Sequence, residues 1–447
     1  MKKALAIVSS LILLLIYLPS YTEAAETAQY PNQVKVSIFL KNSVTLTLSG
    51  NYQLNNLDTG EITPLVKGSS LTAVKDGSNV SVSVSGETKT SVKGFNVEEL
   101  ADGSTSLTRV SNGVTYRGSF FLKPNGSQIE VINILDMEDY LKGVVPSEMP
   151  ASWHKEALKA QAISARSYAA NMIMLTSTAS SQVYRGYSGE DARTNAAIEE
   201  TRGLLVKHNG KPIQTFFFST SGGKTANVSD VWNSNQTYFP YLVAVDDPYE
   251  SSPYSNWTET FSAATILNSF KMPADAQILD MKVSKTGANG EVRGITLKTT
   301  KGDKTINGNE SEIRNLFPIN NPNLYNKLQS NWFTIETSGS AAVVGQEVSV
   351  QTSNGVTTIS DLKGQKVQTA SGEMTLSDSN VSIQTASGVV TNEGSGTGTG
   401  ITTITLKGKG WGHRVGMSQY GAKGYAEKGW TAEQILTHYF QGTTISR

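Results

Sequence analysis

The sequence contains no cysteine among its 447 residues. Disulfide bonds, thiol nucleophiles and thiolate zinc sites are therefore excluded. A chain of this length does not need disulfides, because it can bury several hydrophobic cores, and two or three domains are expected. The four histidines, His154, His208, His413 and His438, show none of the spacings typical of metal ligands. We therefore predict no metal and no cofactor.

The sequence also lacks an excess of charge of either sign, with 38 lysines and arginines against 38 aspartates and glutamates. A nucleic-acid partner is not expected, because neutralising phosphates requires clustered positive charge. A neutral surface suits an uncharged polar ligand such as a glycan, although neutrality alone does not identify one.

Long hydrophobic runs are missing, apart from one at residues 4–18. Two lysines precede this run, and small residues follow it at Thr22, Ala24 and Ala25. This layout is typical of a secretory signal peptide, here residues 1–24, cleaved after Ala24. The run is shorter than a comfortable membrane span, so an uncleaved anchor through residues 4–18 is the alternative. The protein is predicted to be exported, to the extracellular space or the cell wall.

The rest of the chain predicts an α+β fold, with strand-rich domains around an alanine-rich helix. Strand and helix patterns divide it into a β-rich part at residues 27–135, a core at 136–335, an insertion at 337–400 and a C-terminal part of the core at 401–447.

The insertion is rich in Ser, Thr, Gly and Val and carries a weak repeat at Val350–Gly355, Val367–Gly372 and Ile383–Gly388. Valine and threonine favour strands, while Asn-Gly and Ser-Gly favour tight turns. We therefore predict successive hairpins that form a small β-module, closed by a flexible stretch at 393–400. The alternative is a poorly ordered insertion.

Glu148 is the strongest candidate for chemistry. It lies between Pro146 and Pro150, just before an alanine-rich helix predicted from Ala151 to Met174. Proline fixes its own backbone and biases the residue before it towards extended geometry. A carboxylate held in this way can act as a single general acid and base, provided that burial raises its pKa. The alternative is that Glu148 only favours a helix N-terminus through the dipole.

Five segments together resemble the sporulation stage II D / LytB family. They are Met137–Pro150, Phe217–Thr225, Val231–Trp232, Pro240–Pro248 and Gly408–Ala422. The resemblance covers residues 32–335 and 401–445. It implies a peptidoglycan lytic transglycosylase that cleaves glycan strands during sporulation, or a non-catalytic enhancer of an N-acetylmuramoyl-L-alanine amidase. The implied partners are glycan strands and a cell-wall amidase.

The resemblance makes Glu148 the catalytic residue. Alternatives from the residues alone stay open: a hairpin turn for the Ser-Gly-Gly segment, a core ring for Trp232, a solvent face for Gln161 and Arg166, and a structural role for His413. The predicted substrate-binding residues are Gln161, Arg166, Ser219, Ser221, Gly222, Gly223, Trp232, His413, Ser418 and Gln419.

Two departures from the family pattern bear on activity. The resemblance implies that some lytic members of the family bind zinc through His and Cys residues shortly after the alanine-rich helix, and the corresponding stretch here, Ser180–Tyr187, has neither. Arg414 also stands where the family usually has glycine. Retention of Glu148 favours the lytic enzyme, whereas loss of the zinc residues and the added β-module favour the enhancer.

Overall fold

A computed structural model of the protein describes residues 26–101, 105–320, 326–340 and 400–447. Within 341–399 it describes residues 348–352, 355–359, 364–369, 372–377, 381–385 and 388–392. The predicted signal peptide and the stretch 393–399 lie outside the described residues. No helix in the described part of the chain is long and apolar enough to cross a membrane. Helices and sheets together confirm the α+β prediction.

The chain divides into two units, Met1–Asp136 and Met137–Arg447. The first unit consists of two antiparallel sheets, in the strand orders β1-β12-β11-β8-β3-β4 and β10-β9-β2-β5-β6-β7. Alternate residues point into the core, as Val80, Val82 and Val84 do, because successive side chains of a strand face opposite ways. The strands are β1 (Gln33–Lys41), β2 (Ser43–Leu48), β3 (Tyr52–Asn56), β4 (Ile62–Leu65), β5 (Ser70–Asp76), β6 (Asn79–Val84), β7 (Glu87–Ser91), β8 (Phe95–Glu99), β9 (Leu107–Val110), β10 (Thr115–Arg117), β11 (Ser119–Asn125) and β12 (Gln128–Asp136).

The second unit contains a helical part built around α2, which contacts α1, α3, α7 and α8. Nearly every residue of α2 from Ala157 to Ala169 is buried, so its alanines allow close approach on all sides rather than against one flat surface. Its helices are α1 (Met137–Glu148), α2 (Lys155–Ala170), α3 (Ala192–Glu200), α4 (Val228–Trp232), α7 (Gln419–Glu427) and α8 (Ala432–Tyr439). Its short strands are β13 (Leu175–Thr176), β14 (Leu205–His208), β15 (Lys211–Pro212), β16 (Phe217–Phe218), β29 (Met417–Ser418) and β30 (Thr444–Ser446).

A second core of this unit lies under a sheet in the order β17-β28-β18-β19-β20, with β21 also paired to β28. Its strands are β17 (Asn256–Ser262), β18 (Ile278–Thr286), β19 (Val292–Thr299), β20 (Gly302–Asn307), β21 (Phe333–Ser340) and β28 (Gly400–Lys409), and its helices are α5 (Ala263–Ser269) and α6 (Glu310–Asn315).

The insertion contains three separate hairpins between β21 and β28. The paired strands are β22 (Val348–Thr352) with β23 (Gly355–Ile359), β24 (Lys366–Thr369) with β25 (Gly372–Thr375), and β26 (Val381–Thr385) with β27 (Gly388–Asn392). The residues that join the two strands of each pair lie outside the described residues. The inserted β-module near the C-terminus is therefore confirmed. Strand β21 extends to Ser340 and pairs with β28 as far as Gly400, so the base of the insertion belongs to the main sheet.

The predicted helix from Ala151 to Met174 is wrong at its start. Helix α1 already ends at Glu148 and α2 begins at Lys155. Pro150 disfavours helical geometry for the residue before it. A new helix then begins at Lys155, capped by His154, whose Nδ1 accepts a hydrogen bond from the Glu156 amide. Glu148 therefore lies at the C-terminal end of a helix, and the alternative that it favours a helix N-terminus is wrong.

The largely apolar run at residues 212–218 forms strand only at its two ends, in β15 and β16. Between them the chain contacts α2, where the Thr215 hydroxyl donates to the Ser164 carbonyl at 2.7 Å.

Candidate functional site

Glu148 is half-buried at the end of α1, and two elements distant in sequence hold its carboxylate. Oε1 accepts a hydrogen bond from the Val183 amide at 2.7 Å. Oε2 accepts one from Nε2 of Gln419 at 3.3 Å. Gln419 is the first residue of α7, so the structure brings together two residues predicted from separate motifs.

The carboxylate faces a cavity of about 440 Å³ in the second unit. Of the predicted site residues, five line it: Glu148, Ser219, Trp232, His413 and Gln419. Among the described residues of the wall, Glu148 is the only acidic one. The rest of the wall combines aromatic rings with serine and threonine side chains, which suits a ligand with apolar faces and many hydroxyls.

Burial raises the pKa of Glu148 above its ordinary value. The hydrogen bonds from Val183 and Gln419 and the charge of Arg185 favour the ionised form and oppose this rise, but burial outweighs them. The carboxyl group thus holds its proton to a higher pH than an exposed glutamate, as a general acid requires.

His413 forms part of the cavity wall in its neutral state. Burial lowers its pKa to about 4. Its Nδ1 accepts a hydrogen bond from the Val415 amide at 3.2 Å. Its ring packs on Trp232 and Phe218, with centroids 5.0 and 5.4 Å away. The neutral imidazole therefore adds a polar ring to the wall without adding a charge beside Glu148.

Arg414, the next residue, has a φ of 66°, a left-handed conformation that explains why glycine suits this position. Its buried guanidinium donates to the Lys224 carbonyl at 2.9 Å and lies 3.9 Å from the Trp332 ring centroid. It also pairs with the buried Glu291 at 3.4 Å. These contacts offset the strain of the unusual φ and keep the loop in place.

The Ser-Gly-Gly loop binds two of the protein's own carboxylates. The amides of Ser221 and Gly222 donate to Glu250, and the Ser221 hydroxyl donates to Asp247 at 2.9 Å. The Gly223 amide donates to the Ser221 hydroxyl. The three glycine and serine amides therefore already have acceptors, and they do not line the cavity as Ser219 does.

Gly222 is required for a close approach to another chain segment. A Cβ on it would lie 2.8 Å from Cβ of Lys409 and 2.9 Å from the Gly410 amide nitrogen, and its φ is 77°. The loop is therefore fixed against the end of β28, and Gly222 allows this contact.

Ser418 links the same carboxylates to helix α7. Its hydroxyl donates to Glu250 at 2.8 Å and caps α7 by accepting from the Gly421 amide at 3.1 Å. Asp247 also accepts from the Tyr439 hydroxyl at 2.9 Å. Burial, and then the nearby charge of Glu250, raise the pKa of Asp247 to about 7. The Asp247–Glu250 pair thus holds the start of α7, where Gln419 contacts Glu148.

Arg166 and Gln161 lie on α2 and do not line the cavity. Arg166 forms a buried ion pair with Glu138, with Nε–Oε1 and Nη2–Oε2 distances of 2.9 and 2.7 Å. Gln161 is fully buried, and its side-chain amide has no hydrogen-bond partner among the described residues. Neither residue is on the solvent face that the residues alone suggested.

The stretch Ser180–Tyr187, which lacks the zinc residues, is held by hydrogen bonds. Gln182 is fully buried, accepts from the Tyr140 hydroxyl at 2.9 Å and donates to the Ala165 carbonyl at 3.2 Å. These two bonds tie the stretch to α1 and α2 and place the Val183 amide against Glu148. Among the described residues, no three His, Asp or Glu side chains are grouped to hold a metal ion.

Sequence reasoning missed Gln182, Val183, Asp247 and Glu250. The Val183 contact is made by a backbone amide, which leaves no signal in the sequence. Asp247 lies in Pro240–Pro248, a segment matched to the family, but no local pattern in that segment indicates its contact with Ser221.

Comparison of the sequence with known proteins finds a matching family and several relatives. Residues 125–208 match the family described as Stage II sporulation protein. A Bacillus subtilis protein named Amidase enhancer is 30% identical over 402 residues, which cover 78% of this chain and 50% of that protein. The Bacillus subtilis Stage II sporulation protein D is 28% identical over 382 residues, covering 78% of this chain and 88% of the relative. The chain thus spans only half the length of the first relative.

Proposed function

Since the chain belongs to the SpoIID/LytB family, we propose that it is an exported peptidoglycan lytic transglycosylase that acts during sporulation. The observation that carries the proposal is Glu148, a carboxyl group with a raised pKa in a cavity whose described wall has no second acidic residue. Hydrolysis of a glycosidic bond usually requires two carboxylates, whereas an intramolecular transfer requires one.

In the proposed reaction the protonated Glu148 first acts as a general acid. It gives its proton to the bridging oxygen, the bond from the anomeric carbon to that oxygen breaks, and the leaving sugar departs with a hydroxyl group. The Glu148 carboxylate then takes the proton from the 6-hydroxyl of the remaining sugar, whose oxygen bonds to the anomeric carbon. The product is a 1,6-anhydro end, Glu148 is protonated again, and no water is consumed.

The two hydrogen bonds to Glu148 support both halves of this cycle. Val183 and Gln419 donate to the carboxylate, so they stabilise the ionised form that exists between the two proton transfers. Burial opposes them and returns the group to its acid form. These opposing effects allow Glu148 to be protonated when it acts as the acid and ionised when it acts as the base.

The proposed substrate is a glycan strand of peptidoglycan. The aromatic rings of Trp232 and Phe218 can contact the apolar faces of sugars, while Ser219 and Gln419 offer hydrogen bonds to hydroxyl groups. The sequence-predicted roles of Ser219, Trp232, His413 and Gln419 in substrate binding are kept in this proposal. In this proposal four of the predicted residues support the cavity wall without lining it: Ser221, Gly222, Gly223 and Ser418.

A second candidate function is a non-catalytic enhancer of a cell-wall amidase. It is favoured by the relative named Amidase enhancer, which this chain matches over 402 residues. In that case the same fold binds glycan and amidase, and Glu148 is not required for the effect.

The products of a reaction with denuded glycan strands in H₂¹⁸O separate these functions. A lytic transglycosylase yields 1,6-anhydro ends without ¹⁸O, which mass spectrometry detects. A hydrolase would yield reducing ends that carry ¹⁸O. Absence of any cleavage of denuded strands, together with faster release of stem peptides from intact peptidoglycan by an added amidase, would favour the enhancer.

A further inference from the structure

Four aromatic side chains form a continuous row in the second unit. Trp153 packs on Tyr420 with ring centroids 4.8 Å apart, Tyr420 packs on Tyr254 at 6.0 Å, and Tyr254 packs on Trp411 at 4.8 Å. The rings meet at angles of 64°, 80° and 53°, so each supports the next by edge or tilted contact. We call these four residues the aromatic row.

The row is open to solvent. Tyr254 is 42% exposed, and the other three side chains are half-buried. Trp153 anchors one end by packing on the helical core. The row therefore presents apolar ring surface and tyrosine hydroxyls to solvent instead of filling a core.

The row begins in the Glu148 cavity. Trp411 lines that cavity. Tyr420 directly follows Gln419, whose side chain contacts Glu148. Trp153 lies in the short connection between the end of α1 at Glu148 and the start of α2. A ligand long enough to extend beyond the cavity on this side would meet the row.

Hydrogen bonds fix the backbone that carries Tyr254 and Trp411. The turn that contains Tyr254 is held by the Ser252 hydroxyl, 2.9 Å from that of Thr220, and by the Gly410 amide, which donates to the Ser255 carbonyl at 3.0 Å. The backbone of Trp411 pairs with that of Thr220 in both directions. A backbone that is already ordered reduces the entropy cost of binding a ligand.

We propose that the aromatic row is an extended subsite that binds further sugar rings of the glycan strand beyond the bond at Glu148. This inference rests on the proposed function and adds the length of substrate that the site recognises. Sugar rings have apolar faces that pack on aromatic rings, and hydroxyl edges that the tyrosine hydroxyls can bond. Neighbouring aromatic rings contact one another in sequence along the row. This arrangement suits a linear chain of sugar rings better than one compact ligand.

Binding of glycan fragments of different length tests the proposal. Titration calorimetry of a Glu148→Gln background, which prevents turnover, compares a disaccharide with an octasaccharide of denuded glycan. Tyr254→Ala and Tyr420→Ala are each expected to raise the Kd for the octasaccharide about 3- to 10-fold, the value of one aromatic contact. The Kd for the disaccharide should stay the same. Tyr238→Ala, which removes a ring that is 75% exposed and outside the row, is the matched control.

Three results would overturn the proposal. The first is an octasaccharide Kd that neither variant changes. The second is an equal loss of affinity for both fragments, which would mean that the rings only support the cavity. The third is loss of amidase binding with unchanged glycan binding, which would assign the row to a protein partner. These outcomes do not depend on cleavage: wild-type protein that binds in this length-dependent way but forms no anhydro ends would refute the proposed reaction alone.

Discussion

Replacing Arg166 by methionine is expected to destabilise the second unit strongly while leaving the cavity wall intact. The side chains of Arg166 and Glu138 are both nearly inaccessible, at 3% and 5% exposure. Arg166 also donates to the Leu204 carbonyl at 3.1 Å, and the Gly203 amide donates to Glu138 at 3.2 Å. The variant leaves the Glu138 charge buried without its partner.

The expected loss in free energy of unfolding is about 3–5 kcal/mol, the usual effect of removing one member of a buried ion pair. Arg166→Lys keeps the charge but loses the paired hydrogen bonds, so its loss should be smaller. The double variant Glu138→Leu, Arg166→Met should recover part of the stability, because no unpaired charge stays buried. Arg193→Met, which breaks an exposed pair with Asp191, is the control and should change little.

Tryptophan fluorescence during urea unfolding measures this loss of stability in the second unit of the chain. All six tryptophans, from Trp153 to Trp430, belong to residues 137–447. The midpoint of their transition reports the second unit alone. A stability close to wild type in Arg166→Met, combined with weaker glycan binding, would refute this reasoning and support the substrate-binding role predicted from the sequence.

Three further outcomes are expected. Folding raises the pKa of Asp247 to about 7, so below that pH the folded state binds more protons than the unfolded state. The melting temperature should therefore fall as the pH rises towards 7, and it should fall less steeply in Asp247→Asn. An equal dependence of melting temperature on pH in both proteins would contradict this. Joining Ser340 to Gly400 through Asn-Gly in place of residues 341–399 should preserve one cooperative melting transition, because these residues are paired partners of β21 and β28; its loss would place the hairpins in the main core. Added zinc or chelator should leave the melting temperature unchanged, and a zinc-dependent rise abolished by His413→Ala would show a metal site.

Local patterns predicted much of the fold. The glycine of each Asn-Gly or Ser-Gly pair in the repeats of the insertion begins the second strand of a hairpin, because turn chemistry depends on adjacent residues. The start of α2 was missed. The predicted helix begins at Ala151, directly after Pro150, whereas α2 begins at Lys155, and only the His154 cap indicates this later start.

The candidate site was predicted in part. Glu148 was found because two prolines flank it, and Gln419 was found through a motif in the resemblance to the family. Their contact joins positions 271 residues apart, and no local pattern reports it. Asp247 and Glu250 were missed as supports for the same reason, since Ser221 and Ser418 approach them only in the folded chain. Tertiary packing decides which side chains support a site without lining it. The periodicity of a single sequence carries no information about that packing.

The proposed mechanism depends on one carboxyl group, so Glu148→Gln is its most direct test. The amide can neither donate nor accept the catalytic proton, and the yield of 1,6-anhydro ends from denuded glycan should fall about 100- to 10,000-fold. Glu433→Gln, which removes an exposed carboxylate from the first turn of α8, should retain full activity. Tryptophan fluorescence should show that both variants are folded. Equal yields of anhydro ends from Glu148→Gln and the wild type would contradict the assignment of Glu148 as the catalytic acid and base.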